Sequence, residues 1–232
     1  MNSPTIQNHP SDEQMTEFSA GSLAMTRALC ISAHIDHCRS CQQRLTRLQY
    51  LASAQLENLP AQNVSQSLKS QVMQQLKNTE VSAQCDQPQT PQKQTQSDIP
   101  RCLHKWVTGS FDELNWSKLS PSISISEICS EGNGSKAALV KVKAGGSMAH
   151  HSHTGEEVTV ILQGSFSDED GIYCKGDYLF RQPGHKHNPI VSKDQDCICL
   201  MVLDAPIQFT GWFSRLLNPI LRLNHKPSIG LS

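Results

Sequence analysis

The sequence carries no excess of charge of either sign: 20 Lys and Arg stand against 21 Asp and Glu, a formal net charge of −1 over 232 residues. A nucleic-acid binder ordinarily shows a basic stripe, because neutralising phosphates supplies most of its affinity. No direct nucleic-acid contact is therefore expected. Long apolar runs are also absent. The densest, Cys197-Ile-Cys-Leu-Met-Val-Leu203, is far shorter than the roughly 18–20 residues that span a bilayer. The opening Met-Asn-Ser-Pro has neither the basic nor the apolar region of a secretory leader, so a cytoplasmic protein without a membrane partner is expected. Hydrophobic residues make up only 37% of the chain. That is little for one compact globule and suggests a polar stretch between two ordinary cores; the length allows one or two domains of about 100–200 residues.

The nine cysteines are odd in number and scattered from Cys30 to Cys199. In a reducing compartment they serve packing, metal binding or redox chemistry rather than a disulfide framework. The histidines cluster. His34 and His37 stand beside Cys38 and Cys41, and His150, His151, His153, His185 and His187 form a later group.

Composition breaks between Asn78 and Arg101, where six Gln and three Pro occur without an aromatic residue. Such a segment cannot bury enough apolar area to offset the entropy of ordering it. It reads as a flexible linker (residues 81–101) between a helical domain (1–80) and a second domain (102–232). In the first, Ser11 is an N-cap and Gly21 a stop, giving a helix to about Ala20. Ser22 could cap a second helix through Leu23, Arg27, Cys30 and His34. Leu45, Leu48, Ala52, Leu56 and Leu59 mark a third that ends at Pro60, and Val64, Leu68, Val72 and Leu76 a fourth. After the linker the period falls to two: Ala137–Lys143 alternates, while Glu157–Gln163 and Cys197–Val202 are rich in β-branched and apolar residues, with glycines between, the pattern of an all-β barrel or sandwich. Phe209 to Leu223 reads as helical again. The fold class expected is α+β in two domains.

Two constellations carry chemistry. In His34-Ile-Asp-His-Cys38-Arg-Ser-Cys41, spacings of four and three allow one helical surface to present His34, Cys38 and Cys41. Two thiolates with imidazole suit tetrahedral Zn²⁺. A closed site needs a fourth ligand. His9, just before the first helix, is the better candidate, since His37 lies about a quarter-turn off the face of Cys38. A thioredoxin-like redox pair would need a βαβ setting that is missing.

The second constellation is Gly145-x₅-His151-x-His153-x₃-Glu157-x₆-Gly164, followed by Gly176-x₇-Gly184-x₂-His187. His151 and His153 project from one face of a strand. His151, His153, Glu157 and His187 form a ligand set without thiolate that fits Zn²⁺, Fe²⁺, Mn²⁺ or Ni²⁺, and spacing does not choose among them. His150 and His185 read as exposed or as neighbours of the ligands. Cys174, Cys197 and Cys199 read as small core residues.

The first constellation resembles the zinc-binding anti-sigma factors of bacteria, whose motif is His-x₃-Cys-x₂-Cys with an earlier histidine. The second resembles the two cupin motifs, although the proline of the second motif stands one place late at Pro183 and its terminal Asn position is Val191. Their order along the chain resembles the ChrR-type anti-sigma factors. That resemblance implies a small all-α zinc domain and a double-stranded β-helix cupin that binds a divalent metal, with Zn²⁺ the first choice. It implies inhibition of an extracytoplasmic-function (group IV) sigma factor and its release on singlet oxygen or related oxidative stress. It also implies that the helix bearing Val64, Leu68, Val72 and Leu76 supplies part of the sigma contact. Two other readings remain open on the residues alone: a cupin dioxygenase or isomerase with a helical interaction module, and a cupin that serves only to form a homodimer.

Overall fold

Ser11 opens the first helix, α1 (Asp12–Ala20), with a reciprocal capping box: its hydroxyl accepts from the Gln14 N–H while the Gln14 side chain accepts from the Ser11 N–H. Gly21, at φ 69°, ends it in the left-handed conformation that costs glycine nothing. In this computed structural model the described residues are 6–78, 99–132, 134–205 and 207–209. Most of the Gln-rich segment lies outside them, as does all of the helix expected over Phe209–Leu223 except Phe209, which ends a strand instead.

The second helix, α2 (Met25–His37), does not start on Ser22. Its N-cap is Ala24, which has no side chain to offer. A carboxylate from the β domain does the capping instead: Glu131 accepts from the Met25 N–H at 3.0 Å and from the Thr26 hydroxyl at 2.6 Å. An acidic group at a helix N-terminus also complements the dipole. At Cys38 the backbone turns extended, φ −111° and ψ 103°. The chain restarts as α3 (Arg39–Glu57) and, after Ser65 caps the Leu68 N–H, as α4 (Gln66–Asn78). His34, Cys38 and Cys41 thus flank a helix break and do not share one helical face.

The β domain contains β1 (Ser117–Lys118), β2 (Ile123–Ser130), β3 (Lys136–Val142), β4 (His151–His153), β5 (Glu157–Gln163), β6 (Ser165–Asp168), β7 (Gly171–Cys174), β8 (Tyr178–Arg181), β9 (Lys186–His187), β10 (Ile190–Val191), β11 (Cys197–Leu203) and β12 (Ile207–Phe209). They form one six-stranded sheet, β1-β2-β3-β11-β5-β8, and two three-stranded ones, β10-β6-β7 and β12-β4-β9. Every named pairing is antiparallel. The ladders among the described residues are cupin-like without closing into a single barrel sheet.

The long sheet is buried on both faces, and this decides where the first helices go. From β5, Val158, Val160 and Leu162 join one core, while Ile161 joins another. From β11, Ile198, Leu200 and Val202 join the first, and Cys197 and Cys199 the second. The first core also takes in Met15, Leu29, Ile31 and Ala33 of α1 and α2. Burying a Leu or Ile side chain contributes roughly 1.5–3 kcal/mol, so α2 is bound to the sheet as a cover is to a core. Arg27 adds ion pairs to Glu156 and Asp204, and Arg101 adds one to Asp36 at 2.8 Å.

The described residues up to Leu48 therefore fall with the β domain in one compact unit, and those from Gln49 to Asn78 in a second. The division expected from composition placed all of residues 1–80 together. The difference arises because the apolar side of α2 is completed by strands. In the second unit Leu56, Leu59, Val64, Leu68, Val72, Met73 and Leu76 are all exposed.

Candidate metal centres

The junction between α2 and α3 places Cys38 and Cys41 one turn apart, and the segment before α1 brings His9 to them. His9 Nδ1 lies 3.4 Å from His34 Nε2, 3.4 Å from Cys38 Sγ and 3.6 Å from Cys41 Sγ. His34 Nε2 is 3.3 Å from Cys41 Sγ. A tetrahedron with metal–nitrogen bonds of about 2.0–2.1 Å and metal–sulfur bonds of about 2.3 Å has N···S edges of ~3.5 Å and an N···N edge of ~3.3 Å. The four donors are spaced as such a site requires. His37 is not among them.

The protonation states agree. The His34 Nδ1–H donates to the Gly176 carbonyl at 2.7 Å, which leaves the Nε2 lone pair facing the cluster. Burial lowers the His34 pKa to about 4, against that hydrogen bond, so the ring is neutral and available at pH 7. The Cys41 thiol is pushed up to about 12 by burial and by the neighbouring Cys38. A cation must therefore displace its proton on binding. Zn²⁺ affinity measured by chelator competition is expected to rise about tenfold per pH unit for each proton displaced; a flat profile between pH 6 and 8 would contradict this protonation state.

In the β domain, β4 carries His151 and His153 on one face, and its register pairs His151 with His187 of β9. Glu157 opens β5 after a turn. The Nε2 atoms of His151 and His153 each lie 3.0 Å from that of His187. The Nδ1–H groups of His151 and His187 donate outward, to the Ala149 carbonyl at 2.9 Å and to Asp168 at 3.1 Å. Two bare nitrogen lone pairs consequently face each other inside the protein, an arrangement that repels unless a cation lies between them. A spacing of 3.0 Å equals the cis edge of ~3.0 Å expected for octahedral coordination at bonds of about 2.1 Å. Glu157 Oε2 and His153 Nδ1 are buried without a hydrogen bond, 3.2 Å apart.

The electrostatics again favour neutral imidazoles. Burial, then the neighbouring His151 and His187, lower His153 to about 3; burial and Arg181 lower His187 to about 4. Glu157 is raised to about 7 by burial, against Arg181 and a hydrogen bond from the Thr159 hydroxyl. A bound cation is the natural counter-charge for that carboxylate.

Sequence reasoning missed Arg181 and Asp168. Arg181 is 6% exposed; it pairs with Asp168 and approaches Glu157 at 3.8 Å. Asp168 also orients the His187 ring. The available signal was an arginine at the end of the Tyr178-Leu-Phe-Arg181 strand, in register with Glu157. His150 is exposed, and the His185 Nε2–H donates to Asp170 at 2.8 Å, as neighbours rather than members of the set. A cavity of only about 40 Å³ adjoins His151, Glu157 and His187, floored by Val140, Cys199 and Met201. A larger groove, about 610 Å³, runs along β8 past His9 and holds none of the four β-domain ligands.

The ChrR cupin-like domain family matches residues 104–206. Over 219 residues the chain is 28% identical to the anti-sigma-E factor ChrR of Cereibacter sphaeroides, covering 94% of this chain and 100% of that protein. It is also similar to ChrR in the crystal structure of Rhodobacter sphaeroides SigE in complex with the anti-sigma ChrR. The TM-score is 0.72 at 24% identity, over 86% of this chain and 99% of that one. The likeness in fold to that structure thus reaches well beyond the residues that the cupin-like family matches.

Proposed function

We propose that this chain is an anti-sigma factor that binds and inhibits an extracytoplasmic-function sigma factor in the cytoplasm. The observation that carries the reading is the end-to-end similarity to the anti-sigma-E factor ChrR, in a chain that gathers both a His₂Cys₂ and a His₃Glu cluster. His9, His34, Cys38 and Cys41 would hold Zn²⁺ as a structural staple. His151, His153, Glu157 and His187 would hold a divalent metal, Zn²⁺, Fe²⁺, Mn²⁺ or Ni²⁺, whose site controls release of the sigma factor under singlet oxygen or related oxidants.

The exposed row Leu68, Val72 and Leu76 on α4 supports a helix that docks by an apolar face into a groove of its partner. The charge balance supports a protein partner over nucleic acid, and among the described residues no helix is long and apolar enough to cross a membrane. A dioxygenase or isomerase for an organic substrate is disfavoured by size. The cavity beside the His₃Glu set is about 40 Å³, whereas small-molecule sites typically measure about 300–1,000 Å³. Co-expression with an extracytoplasmic-function sigma factor of the same genome, followed by affinity capture and metal analysis, tests the reading. A stoichiometric complex containing zinc is expected; full-length, metal-loaded protein that captures no sigma factor would overturn it.

A further inference from the structure

The two halves of the N-terminal donor cluster are supported in different ways. Cys38 and Cys41 come from a helix junction and are fixed by their own local backbone: the Cys38 N–H donates to the His34 carbonyl at 2.9 Å, and the Gln42 N–H to the Cys38 carbonyl at 3.0 Å. His9 has no such support. It lies in a segment without regular secondary structure, ahead of α1, and its ring is exposed at the edge of the cluster. Fixing each residue of such a segment costs roughly 1–2 kcal/mol of backbone entropy, so something outside it must hold it in place.

What holds it is the turn between β7 and β8 of the cupin-like domain. Asp177 is 3% exposed. Its Oδ1 accepts from the Gln7 N–H at 2.8 Å and from the Asn8 N–H at 2.9 Å, while its Oδ2 accepts from the Cys174 N–H at 2.8 Å. The Tyr178 N–H donates to the Asn8 carbonyl at 3.0 Å. Gly176, at φ 94°, comes so close to the Ile6 side chain that a Cβ there would meet it at 2.5 Å. The same glycine's carbonyl is the acceptor for His34 Nδ1. One three-residue turn therefore touches both histidine donors, one directly and the other through the two residues before it.

We infer that Asp177 is a positioning residue for the N-terminal metal site, delivering His9 to it from the cupin-like domain. Hydrogen bonds one layer out from a metal ligand fix its orientation, and losing one typically costs 10–100-fold in metal affinity. The carboxylate suits the role because it grips two successive amides of the irregular segment with one oxygen and its own turn with the other. The strand that leaves this turn ends at Arg181, which pairs with Asp168 and approaches Glu157. The outer support of one donor cluster is thus continuous, along β8, with that of the other.

The inference rests on the proposed metal binding at His9, His34, Cys38 and Cys41, and the test separates the two. The full chain is loaded with Zn²⁺, and in parallel with Co²⁺, as wild type, Asp177→Ala and Asp177→Asn. Zinc loss to a chelator is expected to be 10–100-fold faster in Asp177→Ala. Asparagine keeps an acceptor oxygen for Gln7 and Asn8, so Asp177→Asn should fall between that variant and the wild type. The Co²⁺ form of Asp177→Ala should keep its thiolate charge-transfer band, since the cysteines are held locally, while its visible bands lose tetrahedral intensity as His9 departs. Metal in the His₃Glu site should stay in place. Wild-type protein with no thiolate–cobalt band overturns the metal reading and the inference together. A normal wild-type band with unchanged zinc release in Asp177→Ala overturns the inference alone, as does loss of both metals at once, which would mark Asp177 as a general structural residue.

Discussion

Replacing Cys38 or Cys41 by serine is expected to empty the N-terminal metal site and to abolish capture of the sigma factor. Serine offers no thiolate, so a closed four-ligand site drops to three. Apparent binding energies of structural zinc in small domains are roughly 10–16 kcal/mol, which sets the scale of the loss. It falls on the link between α2 and α3. The residue that α3 buries is Cys41 in its first turn, 2% exposed. Because α2 keeps its own contacts with the sheet, through Arg27 and the Glu131 cap, the cupin-like domain should remain folded and metal-loaded. His37→Ala should leave zinc untouched, whereas His9→Ala should release it. Metal analysis and affinity capture on the four variants give the answer; a Cys38→Ser protein that retains zinc and captures sigma factor normally would sink the staple.

The donor sets are legible in the amino-acid sequence because metal chemistry demands particular residue types at short spacings: His151, His153 and Glu157 lie on one strand and the next, and His34, Cys38 and Cys41 within two turns of chain. The capping box at Ser11 and the strand Glu157–Gln163 are legible because their signals are local. The features that escape a sequence reading depend on contacts between distant segments. Ser22 has the right chemistry for a cap, yet Glu131, 106 residues from Met25, supplies the hydrogen bond. The break at Cys38 interrupts a sequence whose spacing is equally good for one continuous helix. The grouping of α1 and α2 with the β domain does leave a trace. Glu157–Gln163 and Cys197–Leu203 are apolar at successive positions rather than alternating, as expected of strands covered on both faces. The second cover had to come from somewhere, and it came from the chain's own beginning.

A second large effect is expected at the cupin-like site. His187→Ala removes the imidazole whose Nε2 lies 3.0 Å from both other histidine nitrogens, and it should leave the site without metal. Glu157→Gln removes the charge while keeping the shape and the Thr159 contact, so it serves as the gentler variant. Both should still capture the sigma factor, because the exposed row on α4 and the His₂Cys₂ cluster are untouched. Both should fail to release it: transcription from a sigma-dependent reporter, raised by singlet oxygen or an organic hydroperoxide in the wild type, should stay at the uninduced level. The prediction separates a sensor from a catalyst. A cupin whose role was to turn over a substrate unrelated to the sigma factor would lose that turnover and leave induction intact. Circular dichroism must show that the variants remain folded, since Arg181 and Asp168 form a buried pair around His187 that could collapse with it. If Glu157→Gln is folded and shown to lack the metal, yet induction proceeds as in the wild type, metal control of release is excluded.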